Sequence, residues 1–476
     1  MYMLIDGKDA ETAGDKWLDV KNPATGDVLD RVPAGSEDDA GAAIDAADRA
    51  FDGWSKKTTR ERGLILYHAA GLVRQQHKDL ARLLTREQGK PLKESLDEVR
   101  GFANILEYYA SIAGKPAGES IHLGASGDCM VTREPLGVCG AIIPWNMPVL
   151  IMGWKTGPAL LAGNTLVLKP ASLTPLTTLK IAGILHDAGI PPGVLNIVTG
   201  SGDIVGEAIV KHPLVRKISF TGDCATGCRV SQMTTGQCKD ITLELGGSDP
   251  MIVMADADVD RAVEGAIRGR FYNAGQICTA VKRLYVDEKI APVFIQKLKE
   301  RTESLVIGNG LVPGVDIGPL AGKEQMARIS SQVDQVVAEN KGTILTGGCA
   351  VTGPDYDKGY FYKPTLVTDL DSSSDLLATE IFGPVLPIMT VPDLDTAIRE
   401  ANRTRYGLGA SVWTTNLASI KRVFCEVNAG VIWVNRHLTV PPEIPFGGMN
   451  DSGIGRENGY HALESYSRTK TLYLGW

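Results

Sequence analysis

The chain has 476 residues, more than one hydrophobic core comfortably organises, so two or three domains are expected. Hydrophobic residues make up 43 % and charged residues 22 %, an ordinary globular balance, and the formal net charge is −7. That acidity argues against nucleic acid as a partner, because phosphate binding needs clustered lysine and arginine, and points to a small diffusible substrate.

The start, Met1-Tyr2-Met3-Leu4-Ile5-Asp6, has neither a basic segment nor a long apolar run and does not read as a secretory signal. Nothing approaches the ~18 uninterrupted apolar residues of a membrane span. The most suspect stretch, 149–162, is broken by Lys155, Thr156, Gly157 and Pro158, so no membrane partner is expected. Eight cysteines (Cys129, Cys139, Cys224, Cys228, Cys238, Cys278, Cys349 and Cys425) are scattered along the chain, which fits a reducing cytoplasm better than a disulfide framework. Cys224 and Cys228 lack the further ligands of a zinc set, and no metal is expected.

No repeat or low-complexity tract interrupts the chain. Its first ~115 residues read as mostly helical. Ser36 before Glu37-Asp38-Asp39 starts a helix that an alanine-rich stretch carries to Trp54. A second runs from Thr59 to Glu87, stopped by Gly89 and Pro91, and Val99, Phe102, Ile105, Leu106 and Tyr109 mark the stripe of a third. From Gly137 short apolar runs alternate with helical segments, predicting strands at 138–143, 165–168, 194–198, 217–220 and 241–243. Such alternation implies a parallel sheet with helices on both faces and ligands beyond the strands' carboxyl ends. A second α/β pattern begins at 251–254 and continues to about 445. The expected fold is α/β: residues 1–116 and 137–247 form a Rossmann-like domain and 248–445 a second domain. Residues 117–136 and 460–476 fit neither and suit arms that bridge subunits.

Three residues at loop positions carry candidate chemistry. Cys278, in Gly275-Gln276-Ile277-Cys278-Thr279, follows a helical stretch at 259–273 and lies on an approachable loop, although a lone cysteine is commonly a small core residue. Glu244 ends a strand before Gly246-Gly247, as a general base or as a cap or ion-pair partner. Asn146, in Pro144-Trp145-Asn146-Met147-Pro148, is either an amide donor held by stiff prolines or a turn residue.

Together with Glu380-Ile381-Phe382-Gly383-Pro384, these motifs resemble those of the aldehyde dehydrogenase superfamily, in its order. The resemblance runs from Asn22-Pro23-Ala24-Thr25 to Pro445-Phe446-Gly447-Gly448 and Ser452-Gly453-Ile454-Gly455-Arg456-Glu457. The interval from glutamate to cysteine, 278 − 244 = 34 residues, also suits the family. The resemblance implies that Cys278 attacks an aldehyde, that Asn146 and the Cys278 N–H stabilise the oxyanion, and that Glu244 activates water to hydrolyse a thioester. It favours hydrolysis over acyl transfer to coenzyme A, whose enzymes look different at the Glu244 position. Lys155 and Glu457 match positions implicated in proton relay, or are structural.

For the cofactor, Gly200, Gly202 and Gly206 are spaced one residue too long for a Rossmann fingerprint, although Gly202 and Gly206 remain candidates. The resemblance assigns NAD(P) instead to Phe220-Thr221-Gly222 with Gly227, and to Ile143, Pro144, Trp145, Leu245, Glu380 and Phe382. Asp223 departs from the family's usual serine, placing a carboxylate near a phosphate contact or capping the next helix. Lys169 resembles the family's ribose donor. Ser172, where NAD-preferring members often carry glutamate, favours NADP, with NAD also usable.

The aldehyde is expected between Met147, Trp154, Tyr272, Val440 and Phe446, with Arg436 and His437 nearby. Val434-Asn435-Arg436 resembles lactaldehyde and glycolaldehyde dehydrogenases, which favours a short hydroxyaldehyde. Residues 169–172 and 212–222 look more like succinate-semialdehyde dehydrogenases, where Arg436 would hold a carboxylate; a domain-interface ion pair is its structural alternative. A non-catalytic crystallin-like protein and a thiol esterase are the rivals of other classes. The resemblance and the arms imply a homodimer or homotetramer.

Overall fold

The structure is a computed structural model describing residues 1–476 except Ala13, Asp15, Pro116, Ala117, Ser372, Ser373 and Trp476. Pro116 and Ala117, where the first domain segment was expected to yield to an arm, and Trp476 at the end of the other arm lie outside the described residues.

Helix Glu37–Ser55 starts where expected: Asp39 N donates to Ser36 Oγ at 3.2 Å and Ser36 N to Asp39 Oδ2 at 2.8 Å, a reciprocal cap. The N-terminal segment is otherwise less helical than predicted. Strands Met3–Ile5, Lys8–Ala10, Trp17–Lys21 and Val28–Pro33 precede the first helix, each too short to display a period. The helix expected over 59–87 is two, Thr59–Gln75 and His77–Gln88, because Gln76 leaves the helical region at φ −98°, ψ 11°.

An eight-stranded sheet has a parallel centre in the order Asp240–Glu244, Val215–Thr221, Val138–Ile142, Thr165–Lys169, Leu195–Ile197. Antiparallel strands edge it, Gly453–Ile454 on one side and Met3–Ile5 with Lys8–Ala10 on the other. Side chains alternate between two apolar layers: Val138, Val167 and Ile218 pack into one, Cys139, Leu166 and Leu168 into the other. From Val138–Ile142 the chain winds outward through 165–197, then returns to the opposite side at 215–244. The crevice of this reversal therefore opens at the carboxyl end of Val138–Ile142.

A second sheet of seven strands runs Thr343–Thr346, Thr365–Thr368, Val385–Val391, Val281–Asp287, Asp249–Val253, Gly409–Trp413, Val431–Val434, parallel except for its first pair. Beyond residue 445 the chain returns to the first sheet through Gly453–Ile454. The segment expected to be extended from 460 begins instead as helix Gly459–Ser465. Tyr466 is buried after it, so only Ser467–Leu474 is extended. That strand joins Asp128–Pro135 and Glu119–His122 in a separate antiparallel sheet.

Candidate active site

Asn146 emerges from the strand Val138–Ile142 into the crevice. Its loop is pinned by buried groups: Lys90 Nζ donates to the Asn146 carbonyl at 2.6 Å and Asn273 Nδ2 donates to it at 3.0 Å. Lys90 pairs with Glu98 at 2.5 Å, and Glu98 Oε1 accepts the N–H groups of Val149 and Leu150, capping helix Pro148–Ala162. The Asn146 amide donates to the carbonyl of Gln276 at 2.9 Å, two residues before Cys278, and its second Nδ2 hydrogen remains for another acceptor.

The loop that carries Cys278 leaves helix Val259–Phe271 through three left-handed residues, Asn273 (φ 52°), Ala274 (φ 53°) and Gly275 (φ 74°). Ala274 in this region costs roughly 1–2 kcal/mol. Glu94 Oε2, accepting from Asn273 N at 2.8 Å, and the close approach of Gly275 to the Gly383 carbonyl hold the turn. Lys282, on strand Val281–Asp287, donates to the carbonyls of Ile277, at 3.1 Å, and of Cys278, and pairs with Glu380 Oε1 at 2.9 Å.

Glu244 ends its strand opposite Thr221 and Gly453, its carboxyl buried with neither oxygen hydrogen-bonded to protein. Burial, then the charge of Glu457, pushes its pKa well above the ordinary range, against Lys155 and Arg456. Lys155 and Glu457, which look like surface residues in the sequence, are fully buried. Lys155 Nζ reaches Glu457 Oε1 at 3.0 Å and Ser219 Oγ at 2.7 Å, and Ser219 closes the triangle onto Glu457. The half-buried Cys278 thiol is pushed up to about 12, first by loss of solvent; Lys282 opposes this, while Asp249, Glu244 and Glu380 add to it. Burial thus pushes both groups toward their neutral forms, the thiol at Cys278 and the carboxyl at Glu244.

Beside this group lies a cavity of about 480 Å³ lined by Ile142, Ile143, Pro144, Trp145, Asn146, Lys169, Phe220, Thr221, Gly222, Asp223, Leu245, Cys278, Glu380 and Phe382. It suits a dinucleotide. Gly222 leaves room where a Cβ would strike the Phe220 ring at 2.5 Å, and helix Cys224–Thr234 points its N-terminus at the turn. Lys169 is buried, its pKa lowered to about 8 by desolvation. Glu380 and Phe382, the latter edge-on to Trp145 at 5.4 Å, close the end near Cys278.

The aldehyde dehydrogenase family profile matches residues 10–472. The chain belongs to the aldehyde dehydrogenase family. It is 41 % identical to the phenylacetaldehyde dehydrogenase of Pseudomonas fluorescens, over 100 % of this chain and 96 % of that one. Among solved structures, an NADP-dependent enzyme of Escherichia coli superposes with a TM-score of 0.97 at 38 % identity, covering 100 % and 98 % of the two chains. The betaine aldehyde dehydrogenase of Staphylococcus aureus in complex with NAD+ superposes at 0.97 and 35 % identity, covering 100 % and 95 %. This protein is accordingly an NAD(P)-dependent aldehyde dehydrogenase.

On the other side of Cys278 the dehydrogenase has a second cavity of about 500 Å³, whose lining includes Met147, Ile151, Trp154, Tyr272, Ile277 and Val440, with Asp97, Arg100 and Arg268. Four of the expected substrate residues, Met147, Trp154, Tyr272 and Val440, meet there. Three do not. Phe446 is buried behind the wall against Trp154, ring centroids 4.8 Å apart. His437 is buried with Nε2 2.7 Å from the Thr279 carbonyl, its pKa lowered to about 4 by burial. Arg436 is exposed, outside the lining, and makes no ion pair among the described residues.

Two cofactor expectations also change. Gly202–Gly206 forms one wide helical turn into Glu207–Lys211, and neither glycine lines the cavity, although a Cβ at Gly206 would stand 3.7 Å from the Lys169 side chain that does. Ser172 stands just outside it, its hydroxyl donating to the Gly200 carbonyl at 3.1 Å; Ala171 is the lining residue. Asp223 does cap the next helix, accepting from Thr226 N at 2.9 Å, while its residue still lines the cavity. Sequence reasoning passed over Lys90, Glu98, Asn273, Ser219 and Lys282. The available signal was a charged residue beside an apolar strand or a Gly-Lys-Pro turn, which alone reads as exposed.

Proposed function

We propose that the dehydrogenase oxidises an uncharged, largely apolar aldehyde, aryl- or alkyl-substituted, to its acid through a covalent adduct on Cys278. The observation that carries this reading is the apolar inner wall of Met147, Ile151, Trp154, Tyr272, Ile277 and Val440 beside the nucleophile. An apolar substituent gains roughly 25 cal/mol per Å² buried there. The similarity to a phenylacetaldehyde dehydrogenase supports it. A short hydroxyaldehyde, lactaldehyde or glycolaldehyde, is the second reading, supported by Thr279, Thr439 and Asn104 in the same lining. Succinate semialdehyde loses its expected anchor with Arg436 exposed.

In this mechanism the Cys278 sulfur, as thiolate, adds to the aldehyde carbon, and the carbonyl oxygen takes the charge. The free Nδ2 hydrogen of Asn146 and the Cys278 N–H stabilise that oxygen, typically by ~3–4 kcal/mol per donor. Bound NAD(P) supplies the hydride acceptor. Loss of hydride from the former aldehyde carbon leaves a thioester on Cys278. Glu244 then removes a proton from water as its oxygen adds to the thioester carbon. The carbon–sulfur bond breaks, and the acid leaves. A carboxyl whose pKa is raised by burial is a stronger base than an ordinary glutamate. Lys155, Ser219 and Glu457, hydrogen-bonded to one another but not to Glu244, are the relay its proton would reach through a bridging water.

We assign coenzyme preference to NADP, with NAD usable, because Ser172 puts no carboxylate beside Lys169. Assembly as a homodimer or homotetramer through the three-stranded sheet, and a cytoplasmic setting suited to eight free cysteines, complete the proposal.

A panel of phenylacetaldehyde, straight-chain aldehydes, lactaldehyde, glycolaldehyde, succinate semialdehyde and betaine aldehyde, with NAD and NADP in parallel, tests it through reduced-coenzyme absorbance. The aryl and alkyl aldehydes should give the highest kcat/KM, and Cys278→Ala should abolish turnover. A lead for the charged aldehydes overturns the substrate reading, and NAD ahead of NADP overturns the preference. Ester cleavage with no aldehyde oxidation marks a thiol esterase, and no turnover of either kind a structural protein.

A further inference from the structure

Lys282 is fully buried on a strand facing the catalytic loop, and its ammonium is shared three ways. It donates to the carbonyl of Ile277 and to that of Cys278 itself, and it pairs with Glu380 at the coenzyme end of the crevice. Glu380 also accepts the Gly247 N–H at 3.3 Å. One cation thus joins the nucleophile's own backbone to a carboxylate of the cofactor cavity.

We propose that Lys282 is a positioning residue that fixes Cys278 and supplies the cation against which its thiolate forms, with Glu380 competing for that charge. The inference rests on the reading of Cys278 as nucleophile and Glu380 as coenzyme contact. The surrounding charges leave Lys282 little company. Glu244 at the end of its strand, Asp249 on Asp249–Val253 and Glu380 all disfavour a thiolate. His437 is held neutral by burial. Arg270 is committed to the carbonyls of Val281, Ile381 and Gly383, and Arg283 to those of Ser248, Glu400 and Ala401. Removing the ammonium leaves three carboxyl groups around the sulfur. Removing the Glu380 charge leaves the ammonium wholly to the loop. The two changes act in opposite directions, as two signs in one Coulomb sum must.

The test is alkylation of Cys278 by iodoacetamide in the coenzyme-free full chain, where the thiolate sulfur displaces iodide. The rate is followed from pH 6 to 10 and assigned by peptide mass. Lys282→Met should slow modification by about tenfold or more at pH 8 and move the profile to higher pH, one decade of thiolate per pKa unit. Glu380→Gln should speed it and move the profile to lower pH, and Lys282→Arg should restore most of the rate. A Lys282→Met profile superimposable on wild type overturns the proposal, as does slowing by Glu380→Gln. Should Lys282→Met fail to fold, Glu380→Gln and Lys282→Arg still decide by the sign of their shifts. If wild-type Cys278 is itself inert, the nucleophile reading falls, a result distinct from failure of the Lys282 role.

Discussion

Ser172 and Lys169 form the smallest unit on which the proposed NADP preference rests. Lys169 Nζ donates one hydrogen to the Pro170 carbonyl at 3.0 Å, leaving two for a ligand, and the neutral Ser172 hydroxyl is turned onto Gly200. A glutamate at this position would place a carboxylate where a 2′-phosphate needs cationic surroundings, while accepting a hydrogen bond from a 2′-hydroxyl. Ser172→Glu should therefore raise the NAD-to-NADP ratio of kcat/KM by about tenfold or more, equivalent to ~1.4 kcal/mol. An unchanged ratio in steady-state kinetics would remove Ser172 from the cofactor site. The positions of the proposed catalytic trio, Asn146, Glu244 and Cys278, were legible because each follows a recognisable strand or helix. Lys155 and Lys282 were not, since a lysine's burial depends on a partner far away in sequence, Glu457 or Glu380. Arg436 fails the opposite way: its cationic side chain invites a ligand role, but its segment turns it to solvent.

Helix Cys224–Thr234 shows the same tension at the scale of an element. Asp223 caps it twice, through Thr226 N at 2.9 Å and Thr226 Oγ1 at 2.7 Å, and in doing so brings a negative charge to the turn suited to phosphates. Stability and coenzyme affinity are expected to pull apart here, and two substitutions separate them. Asp223→Ala removes cap and charge together, so it should cost ~1 kcal/mol of stability and tighten coenzyme binding. Asp223→Ser keeps a capping oxygen without the charge, so it should bind coenzyme as tightly as the alanine variant at nearly wild-type Tm. Coenzyme titration beside thermal unfolding reads both. Weaker binding in each variant would show that the carboxylate assists rather than opposes the phosphates. Elements of this kind were largely readable in advance: the five central parallel strands are covered on both faces and appear as apolar runs. The N-terminal hairpins escaped because strands of three to six residues, half exposed, carry no run and no clear alternation.

For the whole molecule, the three-stranded sheet of Glu119–His122, Asp128–Pro135 and Ser467–Leu474 stands apart from both larger sheets and has uncovered faces. Met130 is paired with Leu472 across the strands, and the two are 46 % and 53 % exposed; Ile121, Tyr473 and Leu474 are exposed as well. Apolar side chains concentrated on a sheet with two open edges are costly for a lone chain, which is the ground for expecting association here. The helix Gly459–Ser465, which begins directly after Asn458, and the buried Tyr466 anchor this strand to the body. Loss of association should therefore leave Cys278, Glu244 and Asn146 in place, since one chain supplies all three. The variant Met130→Arg with Leu472→Arg should move the mass measured by light scattering to that of a single chain, near 50.9 kDa, from a wild-type multiple of it. Its kcat should stay close to wild type at temperatures below unfolding. A wild-type protein that already runs as one chain, or a variant that keeps the full assembly, would assign these exposed side chains to something other than subunit contact.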